Sequence, residues 1–193
     1  MAAAVGHQEH RDDMGNMQLL LLAIGLRLPS VEGAESLPLT PARSAELLGN
    51  WFIMHWTGNL PIPEEKWSHP LPPFRFIINN MKKLEFRMNI MKPIGCVLYK
   101  LPLDVGAEPG SFQTWWKHII YIYFLPGKSH AIAYYKGYMN FKHYQMMMLM
   151  GRTLDNDPDA LGIFKQFMHS KVSENAMFIT PPQADACKLT RES

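Results

Sequence analysis

The chain has only two cysteines, no Asn-x-Ser/Thr sequon, no block of like charge and no long apolar run. Each absence excludes something. The apolar stretch at residues 18–26 is far shorter than the ~20 residues a membrane-spanning helix needs. A net charge of +2, with Lys82-Lys83 the only adjacent basic pair, provides no electrostatic footprint for nucleic acid. None of the eight histidines forms a His-x₃-His or His-Glu-x-x-His pair, so no metal site and no cofactor are expected. No Ser/His/Asp arrangement stands out, and nothing has the βαβ rhythm of a nucleotide-binding sheet. Without sequons, N-glycosylation is not expected.

What is present is ordinary globular composition: 193 residues, 47% apolar and 19% charged, enough for one domain with a sizeable core. Short strand-like runs fall at 50–58, 74–78, 84–90, 95–102, 111–117, 118–125, 130–137 and 142–151, separated by Pro, Gly and Asn. The clearest is Leu84 to Ile90, where Leu84, Phe86 and Met88 alternate with Glu85, Arg87 and Asn89. Phe74 to Ile78 precedes it across a polar turn, so the two read as a hairpin. One helix is expected from Asp157-Pro158-Asp159, with Asp as cap and Pro in the first turn. Its Leu161, Phe164, Phe167 and Met168 share a face that packs on the sheet. Ser44 to Leu48 reads as a short helical turn, and Met177-Phe178-Ile179 as a ninth strand. This pattern suits an up-and-down barrel or a sandwich. Gly49-Asn50-Trp51 heads the first strand and Gly151-Arg152-Thr153 ends the last. Trp51 and Arg152 meet only if the sheet closes, the guanidinium then lying over the indole for about 0.5–2 kcal/mol.

The N-terminus reads as a targeting segment. Residues 18–26 form an h-region, and Ser30, Gly33 and Ala34 suit cleavage after residue 33 or 34. Residues 1–34 are therefore assigned to an extension plus signal peptide, with a start at Met14 or Met17, and 35–193 to the folded domain. Removing that segment takes Arg11, Arg27, Glu9, Asp12, Asp13 and Glu32 and raises the net charge from +2 to +4. The protein is expected to be secreted. Two cysteines in such a chain are most simply a disulfide, Cys96 with Cys187; the alternative is two independent buried thiols.

Several stretches carry a family likeness: Gly49-Asn50-Trp51, Glu108-Pro109-Gly110-Ser111-Phe112, Leu125-Pro126-Gly127, Gly151-Arg152, and the run from Ser173-Glu174 through Phe178 and Gln183 to Cys187. Together they resemble the lipocalin family from about Leu39 to Cys187, closest to the branch of odorant-binding proteins and tear (von Ebner's gland) lipocalin. The chain departs from many lipocalins at the turn after the sixth strand, where Lys128-Ser129-His130 replaces Thr-Asp-Tyr. The resemblance implies an all-β fold, an eight-stranded antiparallel up-and-down barrel with one C-terminal helix packed outside. It implies a carrier of small hydrophobic molecules, of odorant, pheromone, retinoid or fatty-acid type, and it makes Gly49, Trp51 and Arg152 a structural plug at the shut end.

Alternation then gives an expected lining: Phe74, Phe76, Ile78, Leu84, Phe86, Met88, Ile120, Ile122, Ala133, Tyr135, Met146 and Met148. Met150 and Ala131 fall on the same inward side, while Met147 and Leu149 face the helix. On residues alone this set reads as well as plain barrel core; the resemblance implies a pocket, which its methionines make adaptable. His55 and His118 are either polar handles inside or satisfied wall residues. A rival reading is an interaction module that binds a cell-surface receptor through the long loop 59–73, which has five prolines and an exposed-looking Trp67. Another is a prostaglandin isomerase of the kind a few lipocalins are, which needs a free cavity thiol; no enzymatic activity is expected with both cysteines paired. A monomer or weak dimer is expected.

Overall fold

The computed structural model describes residues 37–139, 141–172, 176–184 and 187. The expected signal segment and its cleavage site lie outside these residues.

The chain runs through β1 (Leu37–Pro38), a 3-10 turn (Pro41–Leu47), then β2 (Gly49–Gly58), β3 (Phe74–Ile78), β4 (Leu84–Lys92) and β5 (Gly95–Val105). It continues with β6 (Ser111–Gln113), β7 (Ile119–Phe124), β8 (His130–Met139), β9 (Lys142–Gly151), α1 (Pro158–Lys171) and β10 (Met177–Ile179). Each strand from β2 to β9 pairs antiparallel with the next, and β9 pairs back to β2. Eight strands thus close into a barrel with no free edge. Outside it, β10 pairs with β2, and the two residues of β1 extend the β7 edge where β6 has stopped.

The fifth expected strand, 111–117, is cut short to Ser111–Gln113. After Gln113 the chain turns, with Thr114 N donating to His118 O at 3.0 Å and Lys117 N to Thr114 O at 2.8 Å. Residues 114–118 are therefore a tight turn and not part of two long strands.

Strand parity separates two apolar layers. Trp51, Phe74, Phe76, Leu84, Leu103, Phe112, Ile122, Phe124 and Met150 fill the barrel interior. Met147, Leu149, Ile132 and Tyr134 face the other way and are buried with Ala160 and Phe164 of α1. Alternate residues of β9 therefore serve two cores, as its methionine pattern requires. The helix starts where its cap is: the Asp157 carboxylate accepts from Asp159 N and Ala160 N, both at 3.0 Å. Below it, His130 is buried with Nδ1 3.4 Å from the same carboxylate. That contact gives His130, in the turn where the chain departs from many lipocalins, a structural place. Cys96 and Cys187 form a disulfide with Cα atoms 5.5 Å apart, tying the C-terminal segment to β5.

Candidate functional site: the barrel cavity

At one end the barrel is plugged. Arg152 lies over the Trp51 indole, 3.8 Å from the ring centroid. Its guanidinium also donates to three backbone carbonyls, Leu48 at 2.8 Å and Asn50 and Glu46 at 3.1 Å. Trp51 is fully buried, and its N–H donates to Leu47 O at 2.8 Å. Gly49 is needed here twice over: its φ is +100°, and a Cβ would sit 3.1 Å from Arg152 Nη1. Burial lowers the Arg152 pKa from its usual value.

Above the plug lies an inner chamber of about 190 Å³ with an entirely apolar lining. Nine of the twelve residues expected from alternation line it, from Phe74, Phe76 and Phe86 on one wall to Met146 and Met148 on the other. Ile120, Ile122, Ala133 and Tyr135 complete that nine. Three behave differently. Leu84 and Met88 are buried in the barrel core but do not reach the chamber. Ile78 is 38% exposed: Phe76 already pairs with Gly49, the first residue of β2, so no β2 residue pairs with Ile78, which keeps only its β4 partner Leu84. Leu101 and Leu103 also line the chamber. Their signal is legible in the alternation of Lys100, Pro102 and Asp104 with Leu101 and Leu103 along β5.

A second, outer chamber of about 320 Å³ shares Met146 and Met148 with the first. Ile53 and Trp56 form its floor, and Ile62, Lys66, Trp67, His69 and Leu71 come from the loop between β2 and β3. Trp67 is half-buried against the core and donates its N–H to Ile62 O at 3.0 Å, so it is not the exposed side chain expected. Leu71 is held to the C-terminal segment, its N–H donating to Pro182 O at 2.9 Å and its carbonyl accepting from Ala184 N at 3.1 Å. The loop lies over the chamber, tied down through Leu71 and Trp67.

Neither histidine offers a free polar group to the inner chamber. A register shift in β2 between Ile53 and His55 turns Trp56 inward and His55 outward. There His55 stacks on Phe178 and hydrogen-bonds Thr180 Oγ1 at 2.8 Å. Burial lowers its pKa, and Lys165 adds to the effect. His118 Nδ1 is 2.7 Å from the Tyr135 hydroxyl, so each satisfies the other. Burial raises the Tyr135 pKa, with a smaller contribution from Tyr99.

A closed eight-stranded barrel with a Trp–Arg plug, an outer helix and an apolar interior is now in view, and residues 48–185 match the family model for the lipocalin / cytosolic fatty-acid binding protein family. The chain belongs to that family. Lipocalin-1 of Sus scrofa is 29% identical over 89% of this chain and 97% of its own length. Von Ebner gland protein 1 of Rattus norvegicus is 24% identical over 90% of this chain and 98% of its own. Among solved structures, the siderocalin Ex-FABP, described as functioning through dual ligand specificities, superposes with a TM-score of 0.60 at 17% identity. That match covers 77% of this chain and 97% of the other. The likeness to the tear and gland branch holds along nearly the whole lipocalin.

Proposed function

We propose that this lipocalin is a secreted carrier that holds small hydrophobic molecules in the barrel, with the residues lining the inner chamber as its binding site. The observation that carries the reading is the wholly apolar lining contributed by six strands. An apolar interior of this kind desolvates an apolar ligand while asking for no polar partner. The inner chamber alone is smaller than the about 300–1,000 Å³ usual for a ligand pocket. A ligand of that size therefore reaches past Met146 and Met148, whose flexible thioethers give way, into the outer chamber. Lys66 and His69 stand there, so the best fit is an amphiphile with its tail in the inner chamber and a polar or anionic end under the cap. Fatty-acid-type ligands match this better than uniformly apolar odorants.

The isomerase alternative lacks its nucleophile, since both sulfurs are committed to the disulfide. The secreted location is supported by that same disulfide and by the apolar segment at residues 18–26. Among the described residues no helix is long and apolar enough to cross a membrane. Displacement of a hydrophobic fluorescent probe tests the site. Met148→Glu places a charge between the two chambers and should weaken probe binding at least about 30-fold, with far-UV circular dichroism unchanged. Full affinity in that variant would exclude the cavity as the site.

A further inference from the structure

Three turns rim the end of the barrel opposite the plug: Met91 to Gly95 between β4 and β5, Thr114 to His118 between β6 and β7, and the β8–β9 turn that pairs Met139 with Lys142. Each carries one lysine, no acidic residue, and large apolar side chains facing water. Ile94 is 90% exposed and Phe141 91%, the two most exposed large hydrophobic side chains among the described residues. Trp115 is 71% and Trp116 51% exposed, their rings 4.3 Å apart. These side chains are held out by the backbone. The 114–118 turn is cross-bonded at both ends, and Lys117 and Phe141 have φ of +61°, a left-handed conformation that bulky residues seldom adopt. Lys92, Lys117 and Lys142 are exposed and make no ion pair among the described residues.

We propose that this rim docks on the surface of an anionic lipid bilayer. Trp115, Trp116, Ile94 and Phe141 enter the headgroup boundary, where amphipathic and apolar rings are favoured, and the three lysines lie against lipid phosphate and carboxylate. Charge selects this occupant: a neutral apolar partner gives no role to a lysine repeated beside each apolar tip. The fourth segment at this end, residues 59–73, carries Glu64 and Glu65 against Lys66, so contact is made by the side bearing the three turns. The inference concerns the rim and stands whether or not the cavity carries a ligand.

Co-sedimentation of the full protein with vesicles tests it, using phosphatidylcholine alone and phosphatidylcholine with phosphatidylserine. Binding should require the anionic lipid and fall about tenfold or more between low and high salt. The pair Ile94→Ser and Phe141→Ser, and separately Lys92→Glu with Lys117→Glu and Lys142→Glu, should each abolish it. Hydrophobic-probe binding in the cavity, unchanged in these variants, reports that they are folded. The proposal is overturned by absence of co-sedimentation, by equal binding to both vesicle types, or by variants that bind like the parent. It is equally overturned if the parent elutes as a dimer that the rim variants dissociate, since a second copy would then cover the rim.

Discussion

The two ends of the barrel are built from similar hairpins and treated oppositely. At the plugged end the aromatic residues, Trp51 and Phe124, are buried against one another, and two lysines of the turns are paired, Lys83 with Asp104 at 2.6 Å and Lys128 with Glu46 at 2.7 Å, while Lys82 is exposed. The Arg152 guanidinium reaches three carbonyls that the 3-10 turn and β2 leave without strand partners. At the other end aromatic rings stand in water beside lysines that are unpaired among the described residues. Between the ends lies a space that neither set of residues fills. Under the proposed carrier function, this difference divides stability from ligand handling along the barrel axis: one end holds the sheet closed, and the other is where ligand would enter.

That division can be broken from either end. The largest effect should come from the disulfide. Replacing Cys96 and Cys187 by Ala releases a loop with a sequence separation of 91. Denaturant unfolding should show a loss of about 4–5 kcal/mol. Trp51→Ala should cost about 3–5 kcal/mol, since it empties a fully buried indole site. Arg152→Ala should cost less, about 2–3 kcal/mol, from the lost cation–π contact and the carbonyls left unbonded. Arg152→Lys should recover only part of this, because an ammonium cannot span the same three acceptors. In all of these the probe affinity measured well below the unfolding transition should stay within about threefold, because the lining is untouched.

The smallest effect is a pH dependence at the plugged end. Hydrogen bonds from Arg43 and then Lys128 hold the Glu46 carboxyl at about 2, below the ordinary 4.5. A lowered folded-state pKa means stabilisation that is fully present above pH 4.5 and lost as pH falls through about 2. Glu46 is solvent-accessible, so the effect is small. Melting temperatures recorded from pH 6 to pH 2.5 should fall slightly less for Glu46→Gln than for the parent. Equal slopes would remove Glu46 from the account.

Much of this was legible in the chain because strand parity is a strong signal wherever one face is apolar and the other charged. Leu84, Phe86 and Met88 against Glu85, Arg87 and Asn89 give an unambiguous inward face. The methionines of β9 divide correctly because both of its faces are buried against different layers. Parity fails where the backbone slips: the shift after Ile53 moves Trp56 inward and His55 outward, and no residue type in Ile53-Met54-His55 announces it. It also says nothing about how far along the axis a side chain sits, which is why Leu84 and Met88 are core without being lining and Ile78 is neither. The outer chamber was invisible for another reason. Ile62, Trp67 and Leu71 come from an irregular loop whose position depends on the distant segment around Pro182 and Ala184, and periodicity carries no such information.

The most direct test of the division is a paired titration of one hydrophobic probe against Met148→Glu and Arg152→Ala, with denaturant unfolding of the same samples. Met148→Glu should lose probe binding while remaining folded, and Arg152→Ala should lose stability while binding as the parent does. Probe affinity that survives Met148→Glu but collapses in a still-folded Arg152→Ala would contradict that division.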